Sequence, residues 1–172
     1  MPDLRVSKSA LNAKGPNPTF TVLEAVFAKV DAADSDAADS KARAKFIASL
    51  TPGQRIVYAA FTCEREVGSG GLDSYLRYSW GDYAPEALAG LQAVGAKGFV
   101  TPLAKAIALF PKGVPSRDSD ERFEQLDAIL EKKPGVLGAL DDAFLNGYDE
   151  EESLGKAMIA YIKAHPADFF HD

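Results

Sequence analysis

Apolar side chains recur every three or four positions along most of the chain, the pattern of helices that each bury one face. Phe20, Leu23, Val26, Phe27 and Val30 set the first, over about 19–31. Thr51 with Pro52 reads as an N-cap followed by a proline at the first helical position, and Ile56, Val57, Ala60, Phe61, Cys63 and Val67 supply the inner face of a central helix. Tyr75, Leu76 and Tyr78 suggest a short helix. Another starts at Ala84-Pro85, turns Leu88, Leu91 and Val94 inward and stops at Gly95.

Residues 97–110 are strongly apolar, with Pro102 expected in the first turn of their helix. Asp118 and Glu121 form a capping-box pattern for a helix over about 119–132, which Pro134 closes. Two more helices are expected over about 136–146 and 149–164. Alternating strand patterns are absent, so the expected fold class is all-α, a single compact domain of about eight or nine helices over residues 19–172. Residues 1–18, with Arg5, Lys8 and Lys14 and the breaker run GPNP, read as a flexible basic tail that is ordered only where it docks. The tandem DAADS at 31–40 lacks the glycine and late glutamate of a calcium loop and reads as a solvated linker.

Composition narrows the function classes. The 172 residues, 47% hydrophobic, suffice for a core without a metal or disulfide. A single cysteine, Cys63, excludes an intrachain disulfide and a cysteine-rich metal site, and the absence of a signal-peptide pattern or a long apolar run points to a cytoplasmic protein. The only histidines, His165 and His171, fall in the last eight positions, which argues against a histidine-based catalytic or metal centre. The run VGSGGLD has Asp73 where a dinucleotide-binding loop needs its last glycine. Carboxylates around the glycines (Glu64, Glu66, Asp73, Asp82) leave an enzyme built on Glu66, Asp73, Tyr75 and Asp82 as a minor reading; no cofactor is implied.

Charge is the more informative signal. Residues 1–117 carry +3, from 14 Lys and Arg against 11 Asp and Glu, whereas residues 118–172 carry −9, from 5 against 14. Asp120, Glu124, Asp127 and Glu131 fall within a band about 60° wide on their helix, with Phe123, Leu126, Ile129 and Leu130 on another side. Such like-charge neighbours cost a helix about 0.2–0.5 kcal/mol per pair. Asp141, Asp142, Asp149, Glu150, Glu151 and Glu152 follow closely. Carboxylates repeating every ~5–6 Å along a helix are comparable in spacing with the phosphates of one DNA strand. The expected partner is therefore a basic protein, and direct nucleic-acid binding is disfavoured because no basic face accompanies the aromatics.

The stretch SGGLDSYLRYSWGDYA, continued as PEALAGLQAVGA and followed far downstream by Ala164-His165-Pro166, resembles the bacterial DNA-mimic-protein-like family over about residues 50–170. The residues carrying the resemblance are Glu66, Gly70, Gly71, Tyr75, Gly81, Asp82, Ala84, Glu86, His165 and Pro166, with Ser69, Ser74 and Tyr78 standing where the family has amide side chains. The resemblance implies an all-helical fold, dimerisation, and an acidic surface that occupies the DNA-binding face of a transcription factor. The alternative partner is a basic toxin neutralised by an immunity-type protein.

Overall fold

The computed structural model describes residues 5–9, 27–28, 40–147 and 154–171. The DAADS repeat up to residue 39, most of the first expected helix, and Asp149, Glu150, Glu151 and Glu152 lie outside the described residues. Within them the fold is all-α. The helices are α1 (Ser40–Ser49), α2 (Pro52–Arg77), α3 (Ala84–Val94), α4 (Lys97–Ile107), α5 (Ser119–Lys132), α6 (Val136–Leu145), α7 (Leu154–Ala164) and α8 (Pro166–Phe169). Short 3-10 turns occupy Ser79–Tyr83 and Pro111–Gly113. A two-residue parallel pairing of β1 (Val6–Ser7) with β2 (Phe170–His171) docks the first described residues against the last.

Helix α2 organises the rest. Its start is a full capping box: the Thr51 side chain accepts from Gln54 N–H, and Gln54 Oε1 accepts from Thr51 N–H. Thr51 Oγ1 also donates to the Asp168 carbonyl and Gly53 N–H donates to the Asp168 carboxylate, so α8 is fixed onto the same turn. Val57, Tyr58, Ala60, Cys63, Val67, Leu72, Tyr75 and Leu76 of α2 are all buried. The same core takes in Ala87 and Leu91 of α3, Phe99 and Leu103 of α4, Leu137 and Phe144 of α6, and Met158 and Ile162 of α7. Phe99 and Phe144 meet edge to face with centroids 5.0 Å apart.

Two local expectations change. Pro102 lies in the interior of α4, not its first turn, because α4 begins at Lys97. The capping box of α5 is only half made: Asp118 accepts from Glu121 N–H, but Asp118 N–H donates to Ser116 Oγ, while Glu121 is drawn to the Ser116 hydroxyl. Gly95 ends α3 in the left-handed conformation, as its position predicts.

Gly71 breaks α2. At φ 75° and ψ 174° it occupies backbone space that is essentially restricted to glycine. The chain then restarts at Leu72, whose N–H donates to Asp141 Oδ1 at 2.6 Å. The carboxylate on α6 thus caps the second half of α2 from outside its own sequence. Gly71→Ala places a Cβ about 3.0 Å from that carboxylate in addition to the backbone strain, and should destabilise the fold by about 1–3 kcal/mol. Gly138→Ala, which meets nothing within 4 Å, should be neutral or stabilising by about 0.5–1 kcal/mol; urea denaturation of the two variants side by side measures the difference.

Candidate functional site

The glycine and aromatic stretch and the acidic helix, separate in sequence, form one assembly. Its centre is Arg122, which stands on α5 one turn before Leu126; both side chains are fully buried. The Arg122 guanidinium donates to three backbone carbonyls: Nε to Leu76 at 2.7 Å, Nη1 to Ser116 at 2.6 Å and Nη2 to Tyr78 at 2.9 Å. Asp82 Oδ1 lies 2.7 Å from Nη1, an ion pair outside aligned hydrogen-bond geometry. A planar five-donor group suits this arrangement, since the carbonyls left open by the end of α2 and the loop before α5 need donors from several directions.

Gly81 makes the arrangement possible. A Cβ there would lie 2.3 Å from the Leu76 carbonyl oxygen and 2.6 Å from Arg122 Nε. The Gly81-Asp82 pair therefore supplies space and countercharge for one arginine. Ala84, fully buried, opens α3 immediately afterwards. Arg77, in the last turn of α2, adds a second tie: it pairs with Asp73 at 2.9 Å, with Asp127 at 2.7 Å, and lies 4.3 Å from the Phe123 ring centroid.

The expected acidic ridge is accordingly modified. Asp120, Glu124 and Glu131 are exposed and make no hydrogen bond or ion pair with the described residues. Asp127 is also exposed but shares its charge with Arg77. Phe123, expected inward, is 40% exposed and covered by Arg77, because Arg122 takes the inner position beside Leu126. Asp142 is exposed. Asp141, grouped with the surface acids in the sequence reading, is instead engaged within the fold as the cap on Leu72.

Glu66, Asp73, Tyr75 and Asp82 are held in separate contacts. Glu66 lies 3.7 Å from Arg65, Asp73 is on Arg77, and Asp82 is on Arg122. Tyr75 is buried beside Cys63 and hydrogen-bonds it. Gly70 stands one turn before Ser74, where a Cβ would crowd that side chain at 2.8 Å. Glu86 pairs with Arg117. His165 Nδ1 lies 2.9 Å from the Tyr161 carbonyl and its ring stacks on Tyr161 at the junction with Pro166, distant in sequence from the other motif residues. Trp80 is half-buried, packs against the core and lines a small cavity beside Tyr58, Tyr83 and Glu86.

Arg122 was missed at the level of sequence although a signal was present, since an arginine one turn from Leu126 on the apolar side of an otherwise acidic helix has no reason to be there unless it is paired. Replacing it by Met removes the donors from three carbonyls and leaves Asp82, whose side chain is 15% exposed, without its cation. Arg122→Met should lower unfolding stability by about 3–5 kcal/mol in urea denaturation. Burial pushes the Cys63 thiol up to about 12 from 9.0, with the Tyr75 hydrogen bond opposing. Burial and the neighbouring thiol push the Tyr75 phenol well above its usual range. A thiol of raised pKa keeps its proton in the folded state while the unfolded state releases it. Stability is therefore complete below the unfolded value and falls as pH rises from 9 towards about 12. Cys63→Ala should flatten part of that alkaline loss in denaturation curves taken across this range.

Among the described residues no group of three or more His, Cys, Asp or Glu is placed to hold a metal ion, and no helix is long and apolar enough to cross a membrane. No curated protein and no solved structure matches the chain. The family model described as DMP19-like protein matches residues 48–165, a span containing α2 to α7, the Gly71 break, the Arg122 assembly and the acidic helix. The chain belongs to the DMP19-like protein family.

Proposed function

We propose that the protein is a non-enzymatic acidic binding domain that presents α5 to the basic face of a DNA-binding protein and competes with DNA for it. The observation that carries this reading is the exposure of Asp120, Glu124 and Glu131, without a hydrogen bond or ion pair to the described residues, on a helix whose buried side is held by Arg122 and Leu126. Three unneutralised carboxylates in one line weaken the isolated helix. A basic partner would turn that cost into attraction, and the rigid mount on Arg122 holds their spacing fixed before contact. Asp127 belongs to the same face, with Arg77 reducing its local charge.

A surface of this kind binds in a strongly salt-dependent way, because exposed charges are screened over about 8–10 Å at physiological ionic strength. The test is capture from host lysate on immobilised protein. Partners should be retained at about 50 mM salt, released by several hundred millimolar, and displaced by duplex DNA. The variant Asp120→Asn, Glu124→Gln, Asp127→Asn, Glu131→Gln should retain at least tenfold less while remaining folded, since removing like charges relieves repulsion within α5. Equal retention by the quadruple variant, or partners that DNA fails to displace, would sink the proposal.

A further inference from the structure

On the flank of α5, beside the acidic ridge, a groove of about 530 Å³ opens between the helix and the turn after α4. Leu109 and Pro111 line it from that turn, and Ala128 and Ile129 line it from α5. The turn is firmly held: Phe110 is 3% exposed, and its carbonyl accepts from Gly113 N–H at 2.9 Å. The groove is thus built in advance of any occupant, and its size suits several side chains of a partner, not an ion.

Its charge changes sign from one end to the other. Glu124, Ala128 and Lys132 all line the groove and stand four residues apart, so they form one row along α5. The row reads carboxylate, small apolar residue, ammonium, with its ends roughly 12 Å apart by the helical rise. Glu121, held by Ser116 and Gln125, reinforces the acidic end, and Lys133 the basic end. Both lysines are exposed, and their side chains make no hydrogen bond or ion pair with the described residues.

The complement of this row is a cation, a large apolar side chain and a carboxylate at matching intervals, which an α-helix supplies from residues four apart. We propose that the groove docks such a helix of a partner protein, with its apolar side chain set over Ala128 against Leu109, Pro111 and Ile129. A second copy of this chain fits the charges but not the shape. Turned about a twofold axis it sets Glu124 against Lys132, yet it places Ala128 opposite Ala128 and leaves the hollow unfilled. A nucleic acid brings phosphates to Glu121 and Glu124, and a fatty acid held by the lysines runs its tail towards the same carboxylates. The groove shares Glu124 with the ridge but asks for a carboxylate as well as a cation. It therefore stands whether or not α5 receives the basic face of a DNA-binding protein.

The probe is a fluorescein-labelled, alanine-rich helical peptide of about 15 residues that carries arginine, leucine and glutamate at successive four-residue steps. Fluorescence anisotropy with the full chain should show it binding about tenfold more tightly than the same peptide with alanine for leucine, the worth of one buried leucine. Ala128→Gln fills the hollow from an exposed position and should erase that difference. Lys132→Glu combined with Lys133→Glu should make the chain prefer a peptide with arginine in place of the glutamate, with the leucine still required. Circular dichroism checks that both variants keep their helices. The proposal is overturned if the parent chain binds the leucine and alanine peptides equally or binds neither, if Ala128→Gln keeps the leucine advantage, or if charge reversal leaves the peptide preference unchanged. It is also overturned if sedimentation shows a parent dimer that the charge-reversed variant dissociates, which gives the groove to a second copy.

Discussion

One buried arginine holds the end of α2, the turn after it and α5 together. Arg122 satisfies carbonyls at the end of α2, in the turn that follows it and in the loop before α5, and its charge is met by Asp82. A guanidinium buried at zero exposure is tolerable only when its donors are used and its charge is countered, because desolvating it otherwise costs several kcal/mol. Here the solution specifies geometry. The carbonyls lie on different segments, so Arg122 can satisfy them all only when α5 sits at one place and one angle. The pose of the acidic helix is thereby set from the inside.

This gives the glycine and aromatic stretch a structural role. Gly81 clears the space, Asp82 supplies the charge, Leu76 and Tyr78 offer carbonyls, and Arg77 reaches across to Asp127 and Phe123. The segment that carries the family resemblance is the socket, and α5 is what the socket holds. On the outer face of α5, the exposed Asp120, Glu124 and Glu131 take no part in that attachment, whereas Asp127 does through Arg77.

The helices were largely legible in the sequence because their signals are local: the Thr51-Pro52 start, the Gly95 stop and the three- and four-residue apolar spacing each act within a few positions. The acidic face of α5 was legible for the same reason. What escaped was non-local. Nothing near Asp141 announces that its carboxylate caps Leu72, 69 positions earlier, and so it looked like one more surface acid. The compensation of Asp127 comes from Arg77, 50 positions away, which an inspection of α5 alone could not find. Arg122 left a trace in its placement on the apolar side, but its partners are backbone carbonyls, which have no letter in the sequence. The pocket around Trp80 was hidden similarly, since half-buried and buried aromatics look alike as letters.

The caps of α2 carry a consequence for the order in which the chain assembles. Its first turn is secured by Asp168, more than a hundred positions downstream, and the restart after Gly71 by Asp141. Helix propensity can form the middle of α2 early, but both of these anchors arrive only after most of the polypeptide has been made. Contacts of such wide sequence separation form late and tend to slow folding. A nascent chain ending before α6 therefore has its longest helix without either of them, and the C-terminal third acts on the centre of the molecule as the part that completes it.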